Sequence, residues 1–297
     1  MDKHKTFHSG FITVIGCPNV GKSTLVNALV GEKIAIVSDK PQTTRNRIMG
    51  VSTSDDCQMV FLDTPGFHTP RNKLGRFMVK SIKDAMDGMD ALVVMVDAVS
   101  VRNRDHAIIQ DALRRQVPVF LVINKIDLVE KTNLLALVKS LENELFSGVF
   151  LISALLQDGV DDLKKALAVK MPEGPRYFPD DMITDQPERV MCAEIIREKA
   201  LLNLREEVPH GIGVEMMGIT EINVGLQEID ATIYCERDSH KRILVGKGGE
   251  MIKRIGTQAR GDIERLLGVH INLKLFVKVR PGWRDRQDDL KTLGYEK

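Results

Sequence analysis

The chain has 297 residues with 42 Lys and Arg against 41 Asp and Glu, a length that predicts two domains, each able to bury a core. A net charge of +1 excludes a uniformly basic nucleic-acid binder, although such a total can hide local segregation of charge. Four scattered cysteines (Cys17, Cys57, Cys192, Cys235) with no C-x-x-C pair argue against a disulfide framework or a zinc site and fit a reducing cytosol.

The opening Met1–Gly10 is polar and unlike a secretory leader. No apolar run approaches the roughly 20 residues needed to span a bilayer. The first predicted element is a strand, Phe11–Ile15, which breaks at Gly16 into a loop reading G-x-x-x-x-G-K-S and then a helix to about Leu29. Gly16 and Gly21 let the backbone approach a phosphate, and the N–H groups of the helix start make an anion site. Lys22 can lie along the β- and γ-phosphates as a catalytic cation, and Ser23 can offer its hydroxyl to Mg²⁺. The nucleotide-binding candidates here are therefore Gly16, Cys17, Pro18, Asn19, Val20, Gly21, Lys22, Ser23 and Thr24.

The stretch Lys33–Arg47, holding Gln42-Thr43-Thr44-Arg45, is too long and too polar for an ordinary connector and predicts a functional loop. Two strands follow, Ile48–Ser52 and Met59–Leu62, and the second ends in Asp63-Thr64-Pro65-Gly66 with Phe67 behind it. An aspartate at the carboxyl edge of a sheet lies where phosphate-bound Mg²⁺ sits, and Gly66 can present its N–H to a γ-phosphate. Alone this tetrapeptide reads as a turn; behind a phosphate loop and a strand it reads as the second half of the site. Ala91–Val96 is a buried parallel strand, and Val117–Ile123 is another, ending in Asn124-Lys125-Ile126-Asp127. Asp127 can accept from guanine N1–H and its 2-amino group, which adenine lacks. Asn124 can tie this loop to the phosphate loop. A strand at Val149–Ile152 runs into Ser153-Ala154-Leu155, whose backbone can meet the guanine carbonyl, and a helix at Val160–Val169 closes the domain. Agreement of four short motifs in order predicts an α/β P-loop GTPase domain over residues 1–171, mostly parallel with helices on both faces.

Residues 172–187 are punctuated by Pro172, Gly174, Pro175, Pro179 and Pro187 and read as a linker. Over 188–297 the pattern predicts a helix from Glu188 to about Glu207, stopped by Val208-Pro209-His210-Gly211. It continues with strands at Ile212–Ile219 and Leu226–Glu236, a glycine turn before a helix to about Leu267, and a last strand at Ile271–Val279. Charge is segregated: positions 180–230 hold twelve acids and four bases, whereas 237–260 hold seven bases and two acids. The bases surround a G-x-x-G turn at a helix N-terminus, the arrangement by which KH modules clamp a nucleic-acid backbone. Lys241, Arg242, Gly246, Lys247, Gly248, Gly249, Lys253 and Arg254 are the RNA-binding candidates; a plain helix-capping turn is the competing reading.

Gly16-Cys-Pro-Asn-Val-Gly-Lys-Ser23, Gln42-Thr-Thr-Arg45, Asp63-Thr-Pro-Gly66, Glu194-Ile-Ile-Arg-Glu-Lys199 and Val277-Lys-Val-Arg-Pro-Gly-Trp283 together resemble the Era family of bacterial GTPases over nearly the whole chain. The resemblance implies a type II KH fold in the smaller C-terminal domain, GTP hydrolysis, and binding near the 3′ end of small-subunit ribosomal RNA. It also implies a role in small-subunit assembly and a cytoplasmic protein with some peripheral contact to the inner membrane; a monomer is expected. By the same likeness Thr44, favoured over Thr43, closes onto Mg²⁺ beside Ser23 and Asp63. Phe67 stands where many GTPases carry a water-orienting glutamine, which implies slow intrinsic hydrolysis; His68 beside it reads as a solvated loop histidine. The same likeness implies a K⁺ ion at Asn19 that neutralises charge developing between the β- and γ-phosphates. Asn19 therefore either helps catalysis through K⁺ or only fixes the loop by hydrogen bonds. Two other readings remain: a GTPase acting on a protein or membrane partner, the acidic 180–230 region serving either as its docking face or to repel wrongly approaching RNA, and an RNA-modifying enzyme using GTP as a timer, for which no second catalytic constellation is visible.

Overall fold

A computed structural model of the chain describes residues 6–141, 145–205 and 208–295. It divides into two compact units, the first made of residues up to Ala35, Thr44–His68 and Met78–Asp185, the second of Ile36–Thr43, Thr69–Phe77 and Gln186 onward.

The first unit is built on a six-stranded sheet in the order β2-β3-β1-β4-β5-β6: β1 (His8–Gly16), β2 (Ile48–Thr53), β3 (Cys57–Asp63), β4 (Ala91–Asp97), β5 (Val119–Asn124) and β6 (Gly148–Ile152). Only the edge strand β2 is antiparallel to its neighbour; a two-strand hairpin over the polar turn at Asp55–Asp56 leaves no room for the crossover that a parallel pair requires. The unbroken apolar runs of β4 and β5 follow from burial on both faces. Val93, Met95, Phe120 and Val122 pack with α1 (Lys22–Val30) and α5 (Val160–Val169). Their neighbours Leu92, Val94, Leu121 and Ile123 pack on the opposite side with α2 (Lys73–Ala85), α3 (Asn103–Leu113) and α4 (Lys131–Leu141). This stacking brings the carboxyl ends of β1, β3 and β5 to one edge, which is where the three motifs sit.

The proline-punctuated stretch up to Asp185 belongs to the first unit. Gln58 Oε1 accepts from Tyr177 and Phe178 N–H at 2.8 and 3.0 Å, and Thr184 Oγ1 donates to Met49 O at 2.7 Å. Phe178 and Met182 pack on Met49, Val51, Val60 and Leu62. A chain that cannot form a helix thus satisfies its backbone along the sheet.

The second unit runs α6 (Glu188–Asn203), β7 (Gly213–Asn223), β8 (Leu226–Cys235), α7 (Asp238–Val245), α8 (Glu250–Leu267), β9 (His270–Val279) and α9 (Gln287–Thr292). The expected helix end at Glu207 lies outside the described residues. Strands β7 and β8 pair antiparallel, and β8 and β9 parallel. The inward residues Ile229, Ala231 and Ile233 meet Ile196 and Ala200 of α6 and Ile255, Ala259 and Ile263 of α8. Trp283, fully buried, donates its Nε1–H to Gly211 O at 2.9 Å, an N–H that burial obliges to find an acceptor.

Candidate nucleotide site and RNA-facing turn

The phosphate loop leaves β1 at Gly16 and enters α1 at Lys22. Gly21 has φ 102°, and a Cβ there would overlap Asn124 Nδ2, so this position tolerates no side chain. Asn124, buried at the end of β5, donates from Nδ2 to Val20 O at 2.8 Å and accepts from Ala154 N–H at 2.9 Å. One side chain therefore fastens the phosphate loop, the N-K-I-D loop and the Ser153–Leu155 turn. Lys125 is left-handed at φ 67° and its ammonium pairs with Asp97. This pairing sets the following turn Ile126–Leu128, on which the Asp127 carboxylate is exposed.

At the other end of the site, Ser23 Oγ donates to Asp63 Oδ2 at 2.6 Å and lies 2.7 Å from Thr44 Oγ1, which is 3.4 Å from the same carboxylate oxygen. Thr43 instead bonds Ser38 Oγ and Lys40 O, both at 2.6 Å. Burial pushes the Asp63 carboxyl up to about 6, against the opposing pull of Ser23, Lys22, Thr44 and the Thr64 backbone. Its Oδ1 is buried with no hydrogen-bond partner among the described residues. A buried carboxylate with a spare oxygen and two hydroxyls beside it fits a hard, oxygen-seeking cation, so Ser23, Thr44 and Asp63 suit Mg²⁺. Lys22 is buried and donates to Gly16 O at 3.2 Å and Cys17 O at 3.0 Å. Burial lowers its ammonium to about 8, with Asp63 and Cys17 opposing; a phosphate chain would restore it.

Thr64 donates to Val14 O at 2.7 Å, and Phe67 N–H donates to Gly16 O at 3.1 Å. Pro65 and Gly66 lie buried between these two contacts. The Phe67 ring packs among the apolar residues under β4 and β5, where it can orient no water. His68 Nδ1 lies 2.9 Å from Gly66 O, and its Nε2 is buried with no partner among the described residues, so it is not the solvated histidine expected from its loop position. Asn19, exposed at φ 66°, occupies the left-handed region that asparagine tolerates better than most residues. Cys17 and Thr24 complete the loop and the first turn of α1.

In the second unit, α7 and α8 meet at Gly246–Gly249. Gly246 has φ 74°, and a Cβ there would lie 2.8 Å from Met251 Cβ, whereas a Cβ on Gly248 or Gly249 would point into open space. Asp238, Lys241, Arg242, Val245, Gly246 and Lys247 line one concavity. Lys253 belongs to a separate groove with Ile252, Gly256, Thr257, Arg260, Asn272, Leu273 and Leu275. Arg254 is exposed on α8 and lines neither. The sequence pattern alone does not define the groove between α8 and β9. Its signal was Gly256, a mid-helix glycine that costs about 1 kcal/mol relative to alanine and whose missing Cβ keeps the helix surface near Leu275 low.

On this geometry the chain is a P-loop GTPase carrying a KH domain of the αββααβ type. A model of the 50S ribosome-binding GTPase family matches residues 11–125, and a KH domain model matches 207–284. GTPase Era of Ruminiclostridium cellulolyticum is 50% identical over 293 residues, spanning 98% of both chains. That of Clostridioides difficile is 50% identical over 97% of this chain and 99% of its own. The chain belongs to the Era family of GTPases. A solved Era in complex with MgGDPNP and nucleotides 1506–1542 of 16S ribosomal RNA is 39% identical, with a TM-score of 0.94 over 98% of this chain and 100% of that one. An Aquifex aeolicus Era variant bound to GDP.AlF4⁻ is similar at a TM-score of 0.93 and 39% identity.

Proposed function

We propose that this chain is a GTP-driven switch that binds small-subunit ribosomal RNA through its KH domain and assists assembly of the small subunit. The observation that carries the reading is the pairing, in one chain, of the Ser23–Thr44–Asp63 cluster with a basic G-x-x-G turn, in a sequence similar end to end to an Era solved on a 16S fragment. The matching GTPase model is described as 50S ribosome-binding, but it covers residues 11–125 only and none of the KH domain. The end-to-end likeness to an Era solved with a 16S ribosomal RNA fragment favours the small subunit.

In this reading Lys22 and the backbone N–H groups of the phosphate loop hold the β- and γ-phosphates. Asp127 selects guanine, and Asn124 keeps its loop in place. Ser23, Thr44 and Asp63 would hold Mg²⁺, which when bound would supply charge neutralisation to the phosphates. Asn19 is the candidate ligand for K⁺ beside them. On the KH side, Lys241, Arg242 and Lys247 meet phosphates around Gly246, Gly248 and Gly249. Lys253 and Arg254 add to the field, and the apolar floor of the α8–β9 groove receives unstacked bases. GTP orders the loops at 33–47 and 66–73 and hydrolysis releases them. The family likeness supports a monomer acting in the cytoplasm with peripheral contact to the inner membrane; among the described residues no helix is long and apolar enough to cross a membrane. In-cell crosslinking followed by sequencing of attached RNA tests the proposal: a discrete peak in small-subunit ribosomal RNA is expected, and no RNA above background refutes it.

A further inference from the structure

The polar stretch that follows α1 is held at its start by a residue that no motif includes. Asn27 of α1 donates from Nδ2 to Ala35 O at 2.8 Å. Its Oδ1 accepts from Ile34 N–H at 3.0 Å and from Ala35 N–H at 2.9 Å. The buried side chain of Ile34 supplies a second, independent hold, packed with the apolar residues under α1. It fills the space over Gly50 of β2, where a Cβ would overlap Ile34 Cδ1 and Val30 Cγ2. Asn27 stands four residues after Ser23 in α1, the spacing that puts two side chains on one face of a helix. On that face Ser23 Oγ lies 2.7 Å from Thr44 Oγ1. The chain thus leaves α1 and returns to the same face of it: Asn27 holds residues 34 and 35, and Ser23 meets Thr44. The helix itself gains nothing from Asn27, since asparagine is a poorer helix former than alanine.

We propose that Asn27 is a positioning residue for Thr44. It keeps residues 34 and 35 ordered whichever nucleotide is bound, so that only the residues beyond Ala35 need ordering when Thr44 meets the cation. Fixing backbone costs conformational entropy, and a geometry that is already held binds its ligand more tightly. Without Asn27 the free stretch would begin at Gly31, the left-handed cap of α1. Residues 34 and 35 would then have to be ordered in the same step that brings Thr44 to the cation. Added length alone would matter little, because closure entropy grows slowly with loop length. The larger loss is the fixed direction in which the chain sets out. The inference rests on the reading of Ser23, Thr44 and Asp63 as a Mg²⁺ site.

The test has two arms, both on the full-length protein. In wild type, hydrogen exchange at the Ala35 amide should be equally slow with GDP and with GDPNP. Protection of that amide by GDPNP alone overturns the proposal, whatever any variant does. The second arm is the Mg²⁺ dependence of binding of a fluorescent GDPNP, with fluorescent GDP alongside. Asn27→Ala should raise the Mg²⁺ concentration for half-saturation of the GDPNP complex by about tenfold and leave GDP binding within a factor of about two. Asn27→Asp keeps the acceptor for both N–H groups, loses the donor to Ala35 O, and should recover part of the loss. Equal Mg²⁺ dependence in wild type and Asn27→Ala overturns the proposal, as does an equal loss for GDP and GDPNP, which is what a purely structural role gives. Thr44→Ala is the control for the underlying site: if it too leaves the Mg²⁺ dependence unchanged, the cation assignment itself fails.

Discussion

Asn124→Ala removes a side chain that joins three loops of the candidate nucleotide site. It deletes a 2.8 Å bond to Val20 O and a 2.9 Å bond from Ala154 N–H, and both groups lie where water cannot easily replace them, Val20 and Ala154 being 3% exposed. Two hydrogen bonds at about 1 kcal/mol each, plus part of the desolvation cost of the stranded Ala154 N–H, amount to about 2–3 kcal/mol. If that loss falls on the bound state, GTP affinity drops by about 30- to 150-fold. Asn124→Asp separates the two bonds: it keeps an acceptor for Ala154 but sets a carboxylate oxygen against the Val20 carbonyl, and should be no better than alanine. The assay is competition of GTP against a fluorescent guanine nucleotide, with a thermal melt to show that the sheet survives. An affinity for Asn124→Ala within about threefold of wild type would refute the claim that this residue organises the site.

Asp127→Asn loses the acceptor for guanine N1–H while gaining an amide that can pair with a carbonyl, so GTP binding should weaken and xanthine nucleotide be better tolerated in the same competition assay; wild-type protein that binds ATP as tightly as GTP would overturn the guanine assignment. Gly248→Asp adds a negative charge where a phosphate must approach, and because its Cβ meets open space at φ 60°, a conformation aspartate can adopt, the domain should fold. RNA affinity should fall by more than about tenfold with GTP binding unchanged, and equal RNA affinity in a filter-binding assay would remove the KH-type site. Lys253→Ala and Arg254→Ala should weaken RNA binding across sequences and flatten its salt dependence; a loss confined to one RNA sequence would contradict a backbone role. Single-turnover GTP hydrolysis should be faster in K⁺ than in Na⁺ at matched ionic strength, a difference that Asn19→Ala abolishes; equal rates in both salts would discard the K⁺ role.

The nucleotide side was legible because its motifs are local: Gly16–Thr24 and Asp63–Gly66 each occupy one strand end, and the buried strands announce themselves as unbroken apolar runs. Even the helix Val160–Val169 falls at its expected limits. What sequence could not supply is any fact that depends on two distant stretches meeting. Nothing in Glu194–Lys199 says that Arg197 is buried against Thr43, because an arginine between two glutamates on a helix also describes a solvated surface. The α8–β9 groove needs the β9 register, in which Leu273 and Leu275 turn inward and Phe276 outward. The short helix α7 leaves no periodic signal, because Asp238–Val245 carries only one buried residue, Leu244, too few to set a 3.6-residue period.

Burial, which only the fold reveals, also gives the site its electrostatic character. Lys22 and Asp63 are perturbed in opposite directions, the ammonium lowered to about 8 and the carboxyl raised to about 6, and in each case burial is the dominant cause and the other residue's charge opposes it. The two charges therefore relieve one another only in part. A phosphate chain brought to Lys22 would stabilise the ammonium but crowd the Asp63 carboxylate with like charge, and a divalent cation brought to Asp63 alone would repel Lys22. Brought together, each cancels the cost of the other. The arrangement thus favours the joint entry of a nucleotide and a divalent cation over either one separately, and it does so with Lys22 at the start of α1, one loop beyond β1, and Asp63 at the end of β3, the parallel neighbour of β1.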